Sequence, residues 1–398
     1  MPAAAWEEWD VAGPATHALV IGVSQYDHLP EKPGDPSPTD PARTTYGLGQ
    51  AKTPATGALN FAKWMRDVHN MPDAPKASIR LLLSPSQFEL ERVEGMDDLG
   101  PDVLPATRAN VRAALDAWQA ACATDDGNVA ILYAGGHGIE LTKDEGGIVL
   151  LQDFGESPGS PLDNSLDVAR VRNGMAGHPM AQRQFYFVDA CRVPPKEVGA
   201  IDTQGAGLVL QSPSKGAPEC SPIYFSAAPT TEAFGQELAG TVFAQALIDC
   251  LERLGVDARD DEGRWYCSTT GLIRGLEERV REIADELGVE QTTVPGGTPA
   301  PRAMHVLTEP PEVLLEISVW PDAAAPRCTA SLREPGRAPL LDDGRFDPVL
   351  RCQVPAASYR LDVRVDPAEP PYRSVDGWPA PALPPRPYPV RVELEPGE

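Results

Sequence analysis

The chain has 398 residues, 42% of them apolar and 23% charged, a composition that excludes a disordered or fibrous protein. Its 34 Lys and Arg stand against 58 Asp and Glu for a net charge of −24, which opposes phosphate neutralisation, so no nucleic-acid partner is expected. There is no signal-peptide pattern and no apolar run of the roughly 18–20 residues a membrane span needs, so the expected location is cytoplasmic, with no membrane partner.

In chain order, residues 17–23 (HALVIGV) form a short continuous apolar run followed by turn-forming residues, which predicts a strand buried on both faces. A weak helix is expected over 56–68, then a second such strand at 78–83 (SIRLLL). The clearest helix covers 107–123, where Thr107 can cap the N-terminus and Val111, Leu115 and Trp118 recur at helical spacing. It leads into a strand at 128–133 (NVAILY), and further strands follow at 184–189 (QFYFVD) and 222–226 (PIYFS), then helices over 241–254 and 270–287. Such alternation predicts a parallel α/β sheet. After about residue 300, 19 prolines fall in the last 98 residues, too many for long helices. Period-two patterns at 315–319 and 359–365, with a further strand at 388–394, predict a small all-β module, an Ig-like sandwich before a barrel. The expected division is therefore 1–300 and 301–398.

Seven cysteines at 122, 191, 220, 250, 267, 328 and 352 have no CxxC spacing and fit neither a disulfide framework nor a zinc site. Two strands, however, end in unusual residues: Tyr133-Ala134-Gly135-Gly136-His137-Gly138 and Val188-Asp189-Ala190-Cys191-Arg192. Ligands of open parallel sheets bind beyond the carboxyl ends of the strands. A thiolate there attacks carbonyl carbon, and a histidine supplies the proton a departing amine needs. The backbone N–H groups of Gly138 and Cys191 are the natural oxyanion donors. Taken singly, each residue has a bland explanation: a buried cysteine, a core histidine, a glycine turn. Both motifs directly after buried strands point instead to a site that needs no metal or other cofactor.

YAGGHG and FVDACR resemble the histidine and cysteine signatures of the caspase and metacaspase superfamily, and the resemblance spans residues 15–296, including HALVIGVSQY and YFSAAPTTEAF. It implies a caspase-like, mostly parallel six-stranded sheet flanked by helices, and peptide-bond cleavage of protein substrates by His137 and Cys191. It also implies that the segment holding Ser226 binds substrate. Asp189 matches the acid that metacaspases and paracaspases place two residues before the cysteine, which implies cleavage after Arg or Lys. A buried carboxylate there would favour Arg over Lys by charge-assisted pairing; the alternative is a structural carboxylate capping the next loop. Where metacaspases tend to carry a second pocket Asp, this chain has Asn60 and Phe61, which leaves Asp27 as the substitute second acid.

The Pro-, Gly- and Ser-rich stretch 193–219 resembles a caspase activation linker, with Lys196 and Lys215 as cut points for the chain itself or an upstream protease; the alternative is an ordinary insertion. Two acidic loops, Asp97/Asp98/Asp102 and Asp257/Asp260/Asp261/Glu262, are the calcium candidates but lack the ligand spacing of a calcium loop. The compact form resembles prokaryotic caspases of antiviral or cell-suicide pathways. The rival reading, a catalytically dead caspase-fold adaptor, predicts loss of a dyad residue, and both are present.

Overall fold

The computed structural model describes residues 5–139, 147–157, 160–192, 207–211, 216–228, 231–366, 372–384 and 387–397. Its main sheet has strands β1 (Glu7–Glu8), β2 (Thr16–Val23), β3 (Lys76–Ser84), β4 (Val129–Gly136), β5 (Arg183–Ala190), β6 (Ser221–Phe225) and β7 (Val294–Thr298). In space they run β1-β3-β2-β4-β5-β6-β7. The five apolar runs pair parallel, while β1 and β7 close the two edges antiparallel. Seven strands thus stand where the resemblance implies six; the two antiparallel edges, Glu7–Glu8 and Val294–Thr298, have no apolar run to mark them.

Side chains alternate across the sheet as period-two geometry requires. In β2, Ala18 and Val20 enter one apolar layer and Leu19, Ile21 and Val23 the other. The first layer is closed by helices α1 (Pro54–Asp67), α3 (Val242–Asp249) and α4 (Thr269–Leu287), the second by α2 (Arg108–Cys122). Thr107, Thr241 and Ser268 cap α2, α3 and α4 by accepting backbone N–H groups. The helix expected over 241–254 is α-helical only to Asp249 and ends in a π-helical turn, Cys250–Leu254. There Gly255 N–H bonds Cys250 carbonyl at 2.8 Å.

Ala303–Val306 still pairs with Trp265–Ser268. From Glu312 onward the chain forms a three-stranded sheet (Leu350–Pro355, Glu312–Trp320, Tyr388–Glu393) and a four-stranded one (Pro339–Arg345, Cys328–Arg333, Ala357–Val365, Val375–Ala382). The period-two pattern is realised: Val313, Leu315, Ile317 and Val319 are buried and share a core with Leu361 and Val363. Val375–Ala382, with Pro379 and Pro381, lies at a sheet edge, where a missing N–H costs no ladder bond. No helix among the described residues is long and apolar enough to cross a membrane.

Candidate active site

Strands β4 and β5 are adjacent and in register to their ends, Gly136 opposite Ala190. The next residues, His137 and Cys191, therefore leave the sheet at the same carboxyl rim from neighbouring strands, whose spacing is about 4.8 Å. Both line one cleft of about 190 Å³, together with Lys52, Asp189, Ala233, Phe234 and Thr241. Gly135 and Gly136 do not form the plain turn that was the alternative to a site: β4 runs through both. Gly136 and Gly138 are required by crowding. A Cβ on Gly136 would stand 2.9 Å from Tyr26 Oη, and one on Gly138 would stand 2.2 Å from the Cys191 carbonyl oxygen.

His137 is oriented from three sides. Its backbone N–H donates to Tyr26 Oη at 2.7 Å, its ring stacks on Tyr26 with centroids 5.0 Å apart, and Nε2 bonds the Gly49 carbonyl at 2.7 Å. A carbonyl only accepts, so Nε2 carries the proton and Nδ1 keeps the free lone pair. The loop holding Gly49 is folded back by Gln50, whose Oε1 accepts Tyr26 N–H and whose Nε2 donates to the Tyr26 and Leu29 carbonyls at 2.9 and 2.7 Å. Burial holds the imidazole below the ordinary histidine value, only partly offset by Gly49, so it is neutral at pH 7.

Ala233 N–H donates to Cys191 Sγ at 3.1 Å. Burial pushes this thiol up, Ala233 N–H draws it down, and Glu232 and Asp189 push it up again. The pair therefore rests as neutral thiol and neutral imidazole, and proton transfer must accompany attack. Cys191 and Cys352 are the half-exposed cysteines; the other five are buried. Leu150 N–H bonds the His137 carbonyl at 2.8 Å while Gly138 pairs opposite Val149. The alternation of an antiparallel ladder then turns Gly138 N–H away from Val149.

Asp189 follows Phe185 and Phe187 on the core face of β5 and is 2% exposed. Its Oδ2 accepts the hydroxyls of Tyr133 and Thr241, whereas Oδ1 is buried without a hydrogen-bond partner among the described residues. Burial pushes the carboxyl up to about 6, against the hydroxyls of Thr241 and Tyr133. An ionised carboxylate in this position lacks one donor.

Two expected binding residues are placed elsewhere. Asp27 is exposed and held by Gln152, whose Nε2 donates to Oδ1 at 3.0 Å; it does not line the cleft, because the turn after β2 carries it away. Ser226 is fully buried behind the rim, its hydroxyl donating to the Ala190 carbonyl at 3.1 Å, so it supports the end of β5 and does not face the cleft. In the acidic loop near 260, Asp260 and Glu262 both pair with Arg264 and Asp257 accepts from Ser268; Asp97, Asp98 and Asp102 are exposed. Lys196 and Lys215 lie outside the described residues.

Tyr26, Gly49, Tyr133, Thr241 and Gln291 also build the site, and no sequence motif marks their roles. Gln291 is 4% exposed; its Oε1 accepts Phe234 N–H and its Nε2 donates to the Ser226 carbonyl, both at 2.9 Å. It thereby ties the cleft wall to the end of β6. Tyr26 closes HALVIGVSQY, and its position just past the strand was the one available signal.

The family described as Caspase domain matches residues 57–282. An uncharacterized protein of Sinorhizobium fredii, y4kE, is 24% identical over 296 residues, which cover 72% of this chain and 78% of that protein.

Proposed function

The chain belongs to the caspase-domain family of cysteine peptidases, and from that premise we propose that it is an endopeptidase that cuts proteins after Arg or Lys with a Cys191–His137 dyad. The observation that carries the reading is the shared cleft. One pair of in-register strand ends delivers a thiol and an imidazole to a single rim, beside a buried carboxylate short of one donor.

The chemistry follows from these groups. With the substrate carbonyl over the sulfur, His137 Nδ1 takes the thiol proton as the S–C bond forms, and the N–H groups of Gly138 and Cys191 donate to the oxyanion. Collapse breaks the C–N bond and the imidazolium gives its proton to the leaving amine. Water, deprotonated by His137, then hydrolyses the thioester. A substrate cation supplies the donor that Asp189 Oδ1 lacks, and its charge offsets the cost of burying the carboxylate.

The test is a set of fluorogenic peptides ending in Arg, Lys, Asp or Leu. The basic ones are expected to be cleaved at least about 10²-fold faster than the others, in line with discrimination by a buried charge pair. Cleavage after Asp or Leu instead refutes the specificity, and a folded protein that cleaves none supports the adaptor reading.

We extend the proposal to a peptidase region, expected over 1–300, with a β-sandwich region, expected over 301–398, supported by the two small sheets that form from Glu312 onward; Ala303–Val306, paired to Trp265–Ser268, moves the boundary past Val306. A cytoplasmic zymogen activated by proteolysis in an antiviral or cell-suicide pathway is supported by resemblance alone. Replacing Lys196 and Lys215 together is expected to block activation; a double variant that activates normally, followed by gel electrophoresis and peptide assay, refutes the cut sites.

A further inference from the structure

We propose that Thr241 and Tyr133 set how this site divides its basic substrates: by filling Asp189 Oδ2 they leave one carboxylate oxygen for the substrate, so Lys is accepted about as well as Arg. The inference rests on the assignment of Asp189 to the basic side chain and refines it, since a buried carboxylate considered alone favours Arg.

A carboxylate oxygen offers two in-plane lone pairs. On Oδ2 both are taken, by the hydroxyls of Tyr133 and Thr241; Oδ1 is the oxygen without a partner among the described residues. These hydroxyls are fixed in place. Thr241 Oγ1 also accepts Ala244 N–H at 3.1 Å as the cap of α3. The Tyr133 ring is stacked on Phe61, with centroids 5.0 Å apart. Gly57 of α1 packs against both: a Cβ there would stand 2.8 Å from Thr241 Oγ1 and 3.2 Å from Tyr133 Oη.

A guanidinium gains its advantage over an ammonium by donating one N–H to each oxygen of a carboxylate. With Oδ2 filled, that second bond cannot form. An ammonium needs one oxygen, and one is what Asp189 offers. Thr241 lines the cleft beside Asp189, so loss of its hydroxyl opens a lone pair on the substrate side.

The experiment measures kcat/KM for matched peptides ending in Arg and in Lys, with wild type, Thr241→Ser and Thr241→Ala. The wild-type Arg-to-Lys ratio is expected within about threefold, Thr241→Ser is expected to keep it, and Thr241→Ala is expected to raise it about tenfold, the value of one further charge-assisted hydrogen bond. Losing the α3 cap lowers the melting temperature in Thr241→Ala but acts on both peptides alike, so the ratio isolates the hydroxyl. A wild-type Arg preference above about tenfold overturns the inference, even if Thr241→Ala does not fold. An unchanged ratio in a folded Thr241→Ala also overturns it. If neither basic peptide is cleaved while another is, the assignment of Asp189 falls as well.

Discussion

Replacement of Cys191 by alanine is expected to lower kcat/KM for every cleaved peptide by at least about 10⁴-fold, the scale seen when a covalent nucleophile is removed. The melting temperature is expected to stay within a few degrees. Cys191 is half-exposed at a strand end, and its sulfur contacts are a backbone N–H at 3.1 Å and a weak carbonyl contact at 3.8 Å. Little packing is lost with it. The same truncation at Cys250 or Cys267, both buried in the helix-covered layer, has the opposite profile: activity is retained per folded molecule while stability falls. Activity and thermal melts on the three variants check this. An equally active Cys191→Ala would remove the covalent mechanism.

Asp189→Asn is expected to lower kcat/KM for basic peptides by about 10²- to 10³-fold, the cost of deleting one charge of a buried pair, and to raise the melting temperature. The second effect follows from the pKa. The folded value, about 6, lies above the ordinary aspartate value of 3.8. Stability attached to the protonated form is thus present below the unfolded value and lost as pH rises through about 6. At pH 7 the ionised carboxylate sits at a cost to the free fold of about 3 kcal/mol, which Asn removes in part while still accepting from Tyr133 and Thr241. The substrate needs the ionised form, so wild-type kcat/KM for basic peptides should fall as pH drops below about 6. A variant that melts lower and still prefers Arg and Lys would make Asp189 a structural loop cap.

The dyad was legible because each member directly follows a run of apolar residues, and buried parallel strands carry that signature. Adjacency of the two strands was not: β4 and β5 are joined through residues 137–182, and only the sheet order places Gly136 beside Ala190. The groups that orient the dyad were silent for a related reason. Gly49 acts through its carbonyl, which any residue possesses, and Thr241 reaches Asp189 across 52 positions. Asp27 lies close to β2 in sequence, but the following turn directs it to Gln152. The edge strands were missed where β signals are weakest, in Glu7–Glu8 with two acids and in Val375–Ala382 with its prolines.

The most direct test is covalent. An acyloxymethyl ketone on an Arg-ended peptide, incubated with the wild type and mapped by mass spectrometry, is expected to add to Cys191 alone, and His137→Ala is expected to abolish the adduct. Modification of a different cysteine, or equal labelling of Cys191 without the imidazole, would contradict the claim that these two side chains work as a pair.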